Sequence, residues 1–348
     1  MSQLPTITDV ATAAGVSRQT VSNVLNSPDI VRDDTRERVE AAISSLGYRT
    51  HASARRLRTR KSSTIGIRLD PMANGISGSI HDRYLHALTE QADARGMRML
   101  LFTAADPADE IAQFGRLIDG ADVDAFVLTS TFHGDPRTEW LIAHGASFVT
   151  FGRPWGIDDL NDPQHLWVDV DGRAGLTAAT SHLLTGGSSR IAYVGWPAPS
   201  GTGDDRRLGW EQLVRSRLGY DDETVARLQA AVVDTVPAAR AAVSSLLAAD
   251  PGIDGIVCAS DSLALGALMA ATTLGRSELP IVGFDNTPVA EAVGLSSVEQ
   301  RLDEVAARTL ELLMGERGRA VVQRELTPGE AHRLVTPSLV ARAPIRLG

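Results

Sequence analysis

Apolar positions recur every three to four residues in the first part of the chain and gather into short blocks beyond it, so two differently built regions follow one another. In residues 6–26, TITDVATAAGVSRQTVSNVLN, one stripe is Val10, Ala11 and Ala14 and a second is Val21, Val24 and Leu25. That spacing predicts two short helices joined by a tight turn. Gly15 supplies the positive φ of a sharp exit, Thr8 or Asp9 stands where it can cap the first helix, and Ser17 where it can cap the second. A third helix is predicted from about Asp33 to Leu46, with Asp33 as its cap, Val39, Ile43 and Leu46 inward, and Gly47 as its stop.

From Thr64 onward, short apolar runs alternate with helix-like stretches. TIGIRLD, MRMLLFTA, DAFVLTS and SFVTFG come first, and a second series follows with LWVDVD, RIAYVGW, AAVVDT, GIVCAS and LPIVGF. Helices are expected between them, near 84–95, 109–119, 135–144, 173–184, 205–218, 237–249 and 262–274. This alternation predicts parallel sheets covered by helices, arranged as two α/β lobes behind an N-terminal all-α segment. Ligands of such sheets bind outside the carboxyl ends of the strands, and two lobes place those ends across a cleft.

Composition narrows the class. With 43% hydrophobic and 22% charged residues, the 348-residue chain can bury substantial cores, which excludes disorder. No run of eighteen apolar residues exists and MSQLPTITDV lacks the pattern of a secretion signal, so a cytoplasmic protein without a membrane partner is expected. A lone cysteine, Cys258, cannot build a cysteine-based zinc site or an internal disulfide. The eight histidines show no metal-ligand pair, and neither a P-loop, a G-x-G-x-x-G loop nor a G-x-S-x-G elbow occurs. Neither an enzyme nor a metal or cofactor protein is expected.

Charge is divided along the chain. Residues 1–62 carry a net charge of +4 and residues 63–348 a net charge of −13, so a polyanion is drawn to the N-terminal end alone. On the second helix Arg18, Gln19, Thr20, Ser22 and Asn23 lie off the apolar stripe. Arg can grip guanine O6 and N7, and Gln or Asn can grip adenine N6 and N7. A plain helical hairpin would show the same stripe; the following segment 48–63, YRTHASARRLRTRKSS, six basic residues without one acid, favours nucleic acid. Leu57 among those arginines suits a wedge into the minor groove.

The blocks TDVATAAGVSRQTVSNVLN, VRDDTRERVEAAISSLGY and ARRLRTRKSSTIGI, in this order and spacing, resemble the LacI-type (lactose repressor) transcription regulators. The resemblance implies a helix-turn-helix headpiece over 1–49, a hinge helix over 50–63 and a two-lobed periplasmic-binding-protein-like core over 64–348. It places lobe 1 at about 64–164 and 300–327 and lobe 2 at about 165–299 and 328–348, with a helix from about Leu302 to Met314 returning to lobe 1. DNA contacts are expected from Thr8, Ser17, Arg18, Gln19, Thr20, Ser22 and Asn23, and from Ala54, Arg55, Leu57 and Arg58 in the hinge. The chain departs from the family pattern at Thr50 and His51, where Pro-Asn is usual, and at Arg32, where a capping Ser is common.

Candidate effector contacts fall at strand ends. Arg153 follows SFVTFG, Asp261 follows GIVCAS and Asp285 follows PIVGF, while Arg206 opens an R-x-x-G-W motif that resembles the family's effector-contacting arginine. Arg206 and Asp285, facing each other across a cleft, would hold sugar hydroxyls, one donating and the other accepting. Trp155 and Trp196 offer a flat face to a pyranose, or simple packing. Asp171 and Asp261 also stand where an acid caps the next helix. The expected protein is a homodimeric repressor of carbohydrate genes that binds a palindromic operator and is released by a mono- or oligosaccharide. A corepressor-dependent regulator and a sugar-binding protein without DNA are the alternatives.

Overall fold

The computed structural model describes residues 5–26, 28–48, 62–69, 76, 78–156, 160, 162–314 and 327–342. The chain forms two compact units, Met1–Ser62 and Ser63–Gly348. The hinge candidates Ala54, Arg55, Leu57 and Arg58 lie outside the described residues.

The smaller unit holds α1 (Ile7–Ala14), α2 (Arg18–Asn26) and α3 (Asp33–Leu46). Helix α1 starts from Thr6, not from Thr8 or Asp9. The Thr6 amide donates to Asp9 Oδ2 at 2.7 Å and the Asp9 amide to Thr6 Oγ1 at 3.4 Å, a reciprocal box that needs Asp9 inside the helix. Gly15 adopts φ +66° and its amide closes onto the Ala11 and Thr12 carbonyls, which turns the chain toward α2. Ser17 caps α2, accepting the Thr20 amide at 3.0 Å.

Helix α3 departs from expectation at both ends. Its cap position is Arg32, which supplies no acceptor, and Asp33 is already helical and paired with Arg36 at 2.8 Å. Leu46 is exposed; Tyr48, just past Gly47, packs on the core instead. That core is small, built on Val10, Ala11, Ala14, Val21, Val24, Val39 and Ala42.

The larger unit contains two six-stranded sheets. The first is built from β1 (Thr64–Arg68), β2 (Arg98–Phe102), β3 (Ala125–Leu128), β4 (Phe148–Phe151), β5 (Trp167–Val170) and β11 (His332–Val335), in the order β11-β5-β4-β3-β1-β2, all parallel. The second holds β6 (Ile191–Gly195), β7 (Gln229–Ala231), β8 (Gly255–Cys258), β9 (Ile281–Phe284), β10 (Ser296–Glu299) and β12 (Ser338–Val340), in the order β12-β10-β9-β8-β6-β7. Only β12 in it runs antiparallel to its neighbour. The helix Leu302–Met314 packs on Gly78–Ala94, so the chain does return to the first lobe there.

Two lobe boundaries are corrected. Strand β5 pairs with β4 and β11, so the second lobe begins at the helix Gly172–Thr185 rather than at 165. His332–Val335 likewise belongs to the first sheet, and only Ser338–Val340 crosses to the second. An apolar run announces a strand; which sheet it joins is set by partners far away in sequence.

Packing explains part of the R-x-x-G-W motif. Trp210 is fully buried, donates to the Ile191 carbonyl at 3.2 Å and stacks on Tyr193. A Cβ at Gly209 would stand 2.2 Å from the Arg173 carbonyl oxygen, so glycine lets the helices Gly172–Thr185 and Thr202–Leu218 touch. Gly209→Ala is therefore expected to cost about 1–3 kcal/mol through overpacking. Urea unfolding measures it, and a wild-type curve would mean that the two helices shift apart freely.

Candidate functional site

In the headpiece, Arg18 and Gln19 are exposed and Thr20, Ser22 and Asn23 half-buried, while Val21 and Val24 of the same helix are buried. Gln19 Nε2 donates to Asn23 Oδ1 at 3.0 Å, which pre-orders two amides one helical turn apart. The Ser17 and Thr20 hydroxyls lie 2.9 Å apart at the cap, and Thr8 is exposed on α1.

In the larger unit a cavity of about 520 Å³ opens at the carboxyl ends of both sheets. The first lobe contributes Ile80, His81, Ser130, Thr131, Phe151, Gly152, Asp169 and Val170; the second contributes Trp196, Ser200, Thr202, Arg206, Asp234 and Asp285, with Gln300 at the crossing. Arg206 and Asp285 do not face each other across the cleft. Both belong to the second lobe, where Arg206 Nη1 lies 3.6 Å from Asp285 Oδ1. The N-terminal part of the Thr202–Leu218 helix and the end of the interior strand β9 meet at the carboxyl end of the same sheet, which brings the pair side by side.

The Arg206 guanidinium lies 3.7 Å from the Phe284 ring centroid and 5.2 Å from that of Trp196. Its Nε is buried without a hydrogen-bond partner among the described residues. Asp285 is buried, with φ +110°, and Gln300 Nε2 donates to its Oδ1 at 2.6 Å. Burial pushes its carboxyl up to about 8, against the pull of Arg206 and with further upward pressure from Asp261 and Asp234. Arg83, reaching over from the Gly78–Ala94 helix, donates to the Asp285 carbonyl at 3.2 Å, to the Asn286 carbonyl at 3.3 Å and to both Glu299 oxygens. These bonds hold a turn in which two non-glycine residues have positive φ, a geometry that persists only when its surroundings impose it.

The other expected contacts divide. Trp196 lines the cavity. Trp155 is not among the lining residues: it packs under Arg153 and against Gly201, where a Cβ would sit 2.5 Å from the indole. Arg153 is also outside the lining, its guanidinium engaged by Asp169 and Asp205. Asp261 is buried in the second lobe instead of in the cavity wall. It accepts from the Thr287 amide and hydroxyl at 2.7 and 2.9 Å and from the Ser297 hydroxyl at 2.6 Å, while Ser260 caps the helix. Asp171 caps its helix, accepting the Ala174 amide at 2.8 Å.

Sequence reasoning missed Asp169, Asp234, Ser130 and Thr131. Asp169 carried a signal, an acid inside the otherwise apolar strand Trp167–Val170. Ser130 carried none, because its place is fixed from behind. Arg137, 1% exposed, donates to the Thr129 and Ser130 carbonyls, to Asp135 and to Glu110, and Ser130 takes φ +56°.

Comparison with known proteins fits both units. Residues 6–51 match the model of the bacterial regulatory proteins of the lacI family, and residues 180–343 match the periplasmic binding protein-like domain. The HTH-type transcriptional regulator CelR of Thermobifida fusca is 31% identical over 325 residues, covering 89% of this chain and 91% of the relative. The chain belongs to the LacI family of bacterial regulatory proteins. Another LacI-family relative, the ribose operon repressor of Halalkalibacterium halodurans, is 29% identical over 99% of this chain and 98% of its own. A solved structure of a CelR–cellobiose complex superposes with a TM-score of 0.67 at 28% identity, covering 97% of this chain and 99% of that one. This LacI-family protein is a DNA-binding transcriptional regulator, and its relatives are regulators rather than enzymes. Among the described residues no helix is long and apolar enough to cross a membrane, and no cluster of three or more His, Cys, Asp or Glu side chains offers a metal site.

Proposed function

We propose that this regulator is a dimeric repressor that grips a palindromic operator and lets go when a neutral sugar, most simply a glucoside disaccharide, occupies the cavity. The observation that carries the ligand class is the balance of the lining: three carboxylates, Asp169, Asp234 and Asp285, with one guanidinium, Arg206, and the Trp196 indole. Acceptors outnumber cationic donors, which suits hydroxyl groups and opposes an anion. A volume of about 520 Å³ lies within the roughly 300–1,000 Å³ of small-molecule sites. The cellobiose complex of the related CelR supports the same ligand class. Pairing two headpieces supplies two reading helices and fixes a half-site spacing, which one headpiece cannot do.

Titrating cellobiose, maltose, ribose and a sugar phosphate into a protein–operator mixture tests the reading, with binding followed by mobility shift or anisotropy. A neutral disaccharide is expected to dissolve the complex while the sugar phosphate stays inert. Strengthening of the complex would instead make the ligand a corepressor, and indifference to inverted-repeat DNA would remove the proposal.

The Asp285 environment adds a pH signature. The ionised carboxylate is the better acceptor of sugar hydroxyls, and it forms as pH rises through about 8. Sugar affinity is expected to climb across that value in the wild type and to be flat in Asp285→Asn, measured by calorimetry on either side of it. A flat wild-type profile would mean that Asp285 does not accept from the ligand.

A further inference from the structure

Arg153, taken from the sequence as an effector contact, does something else. It stands two residues beyond β4 in the first lobe, and its donors divide between lobes. Nε donates to Asp169 Oδ2 at 2.7 Å within the first lobe, and Nη2 donates to Asp205 Oδ2 at 2.7 Å on the Thr202–Leu218 helix of the second. The side chains are 15%, 8% and 6% exposed, so this three-charge bridge is nearly dry. Asp205 is held in turn by the Arg173 amide at 3.1 Å and guanidinium at 3.2 Å, and the second oxygen of Asp169 accepts the Val170 amide at 2.8 Å. Beside the bridge, Trp155 of the first lobe rests on Gly201 of the second, next to the cavity residues Ser200 and Thr202.

The geometry points to Arg153 as a positioning residue that ties the orientation of the cavity acceptor Asp169 to closure of the two lobes. A planar guanidinium can address two carboxylates at once with fixed angles, and an ammonium cannot. When the lobes part, Arg153 loses Asp205, the bridge fills with water, and Asp169 keeps a cation no longer fixed in direction. An effector that needs Asp169 aligned thus prefers the closed arrangement, and such a preference is what allows a ligand to shift a two-state equilibrium. Arg83 also joins the lobes, through the Asp285 and Asn286 carbonyls and Glu299, on the side of the chain crossing at Gln300. The ligand half of this inference rests on the sugar reading above; the bridge itself does not.

The full-length protein with surface cysteines at Glu139 and Glu223, spin-labelled and diluted with unlabelled protein, reports the distance between lobes without any ligand. Arg153→Met and Asp205→Asn are each expected to lengthen and broaden that distance, and the double variant to move it no further than either alone, since both break one bridge. The amide introduced by Asp205→Asn retains an acceptor for Arg173, so that variant decides the matter even where Arg153→Met folds poorly. With cellobiose as the probe, both variants are expected to bind roughly 5- to 150-fold more weakly. A folded variant with the wild-type distance distribution, or additive effects in the double variant, would overturn the assignment. Wild type that binds none of the neutral disaccharides would sink the sugar reading, while the distances still judge the bridge.

Discussion

Arg206→Met is expected to weaken sugar binding by about 2–5 kcal/mol, the usual cost of truncating one member of a buried charge pair at a binding site. Methionine keeps much of the apolar contact with Phe284 and Trp196 but removes the buried Nε donor and the charge beside Asp285. Asp285, buried and already pushed up to about 8, would then rise further and hold its proton across a wider pH range, so that it stays a weak acceptor even where the wild type ionises. Operator binding without sugar should be unchanged, because the reading helix belongs to the other compact unit. Calorimetry with sugar and a mobility shift without it separate the two quantities. A variant that still leaves the operator at wild-type sugar concentrations would show that Arg206 serves the fold alone.

Arg137→Met should act on the fold first. Arg137 is 1% exposed, and removing it strands Asp135 in the interior and leaves Glu110 to the more distant Arg68 at 3.4 Å, which costs about 3–5 kcal/mol. Burial already holds the Glu110 carboxyl above the usual range against the pull of Arg137. Without that pull it rises further, so the folded variant retains a proton that the unfolded chain has released. Such a group costs stability as pH rises from its unfolded pKa through its folded one, so the penalty should be largest at neutral pH and shrink under acid. Denaturant unfolding of variant and wild type at several pH values checks this. Equal stability at neutral pH would mean that Glu110 and Asp135 find water or another cation. Loosening of Ser130 and Thr131 should accompany the loss, visible as faster amide exchange at the end of β3.

The second lobe shows where reading a chain stops. Asp285 stands out because it follows a strand and Arg206 because it opens the R-x-x-G-W motif, yet their pairing within one lobe depends on which strand neighbours which. Asp261, read from the sequence as a ligand contact or a helix cap, is a buried clamp, because Thr287 and Ser297 arrive from 26 and 36 residues away. Arg153 lies outside the cavity lining and bonds Asp169 and Asp205, neither of which can be placed near it from spacing.

What the order of residues determined by itself lies within a turn or two of each residue, though the caps of α1 and α3 show that even there it named the wrong residue. The amphipathic stripes of α2 and α3, the positive-φ glycines Gly15 and Gly47, the Ser17 cap and the alternation of strands with helices all follow from local sterics and periodicity. Tertiary structure alone decided which sheet took β5 and β11, which carboxylates reached the cavity, and which arginines span the lobes. Those outcomes depend on charges and strand edges that meet only after long loops close, and the sequence pattern, with periods of two and 3.6 residues, carries no record of such distant partners.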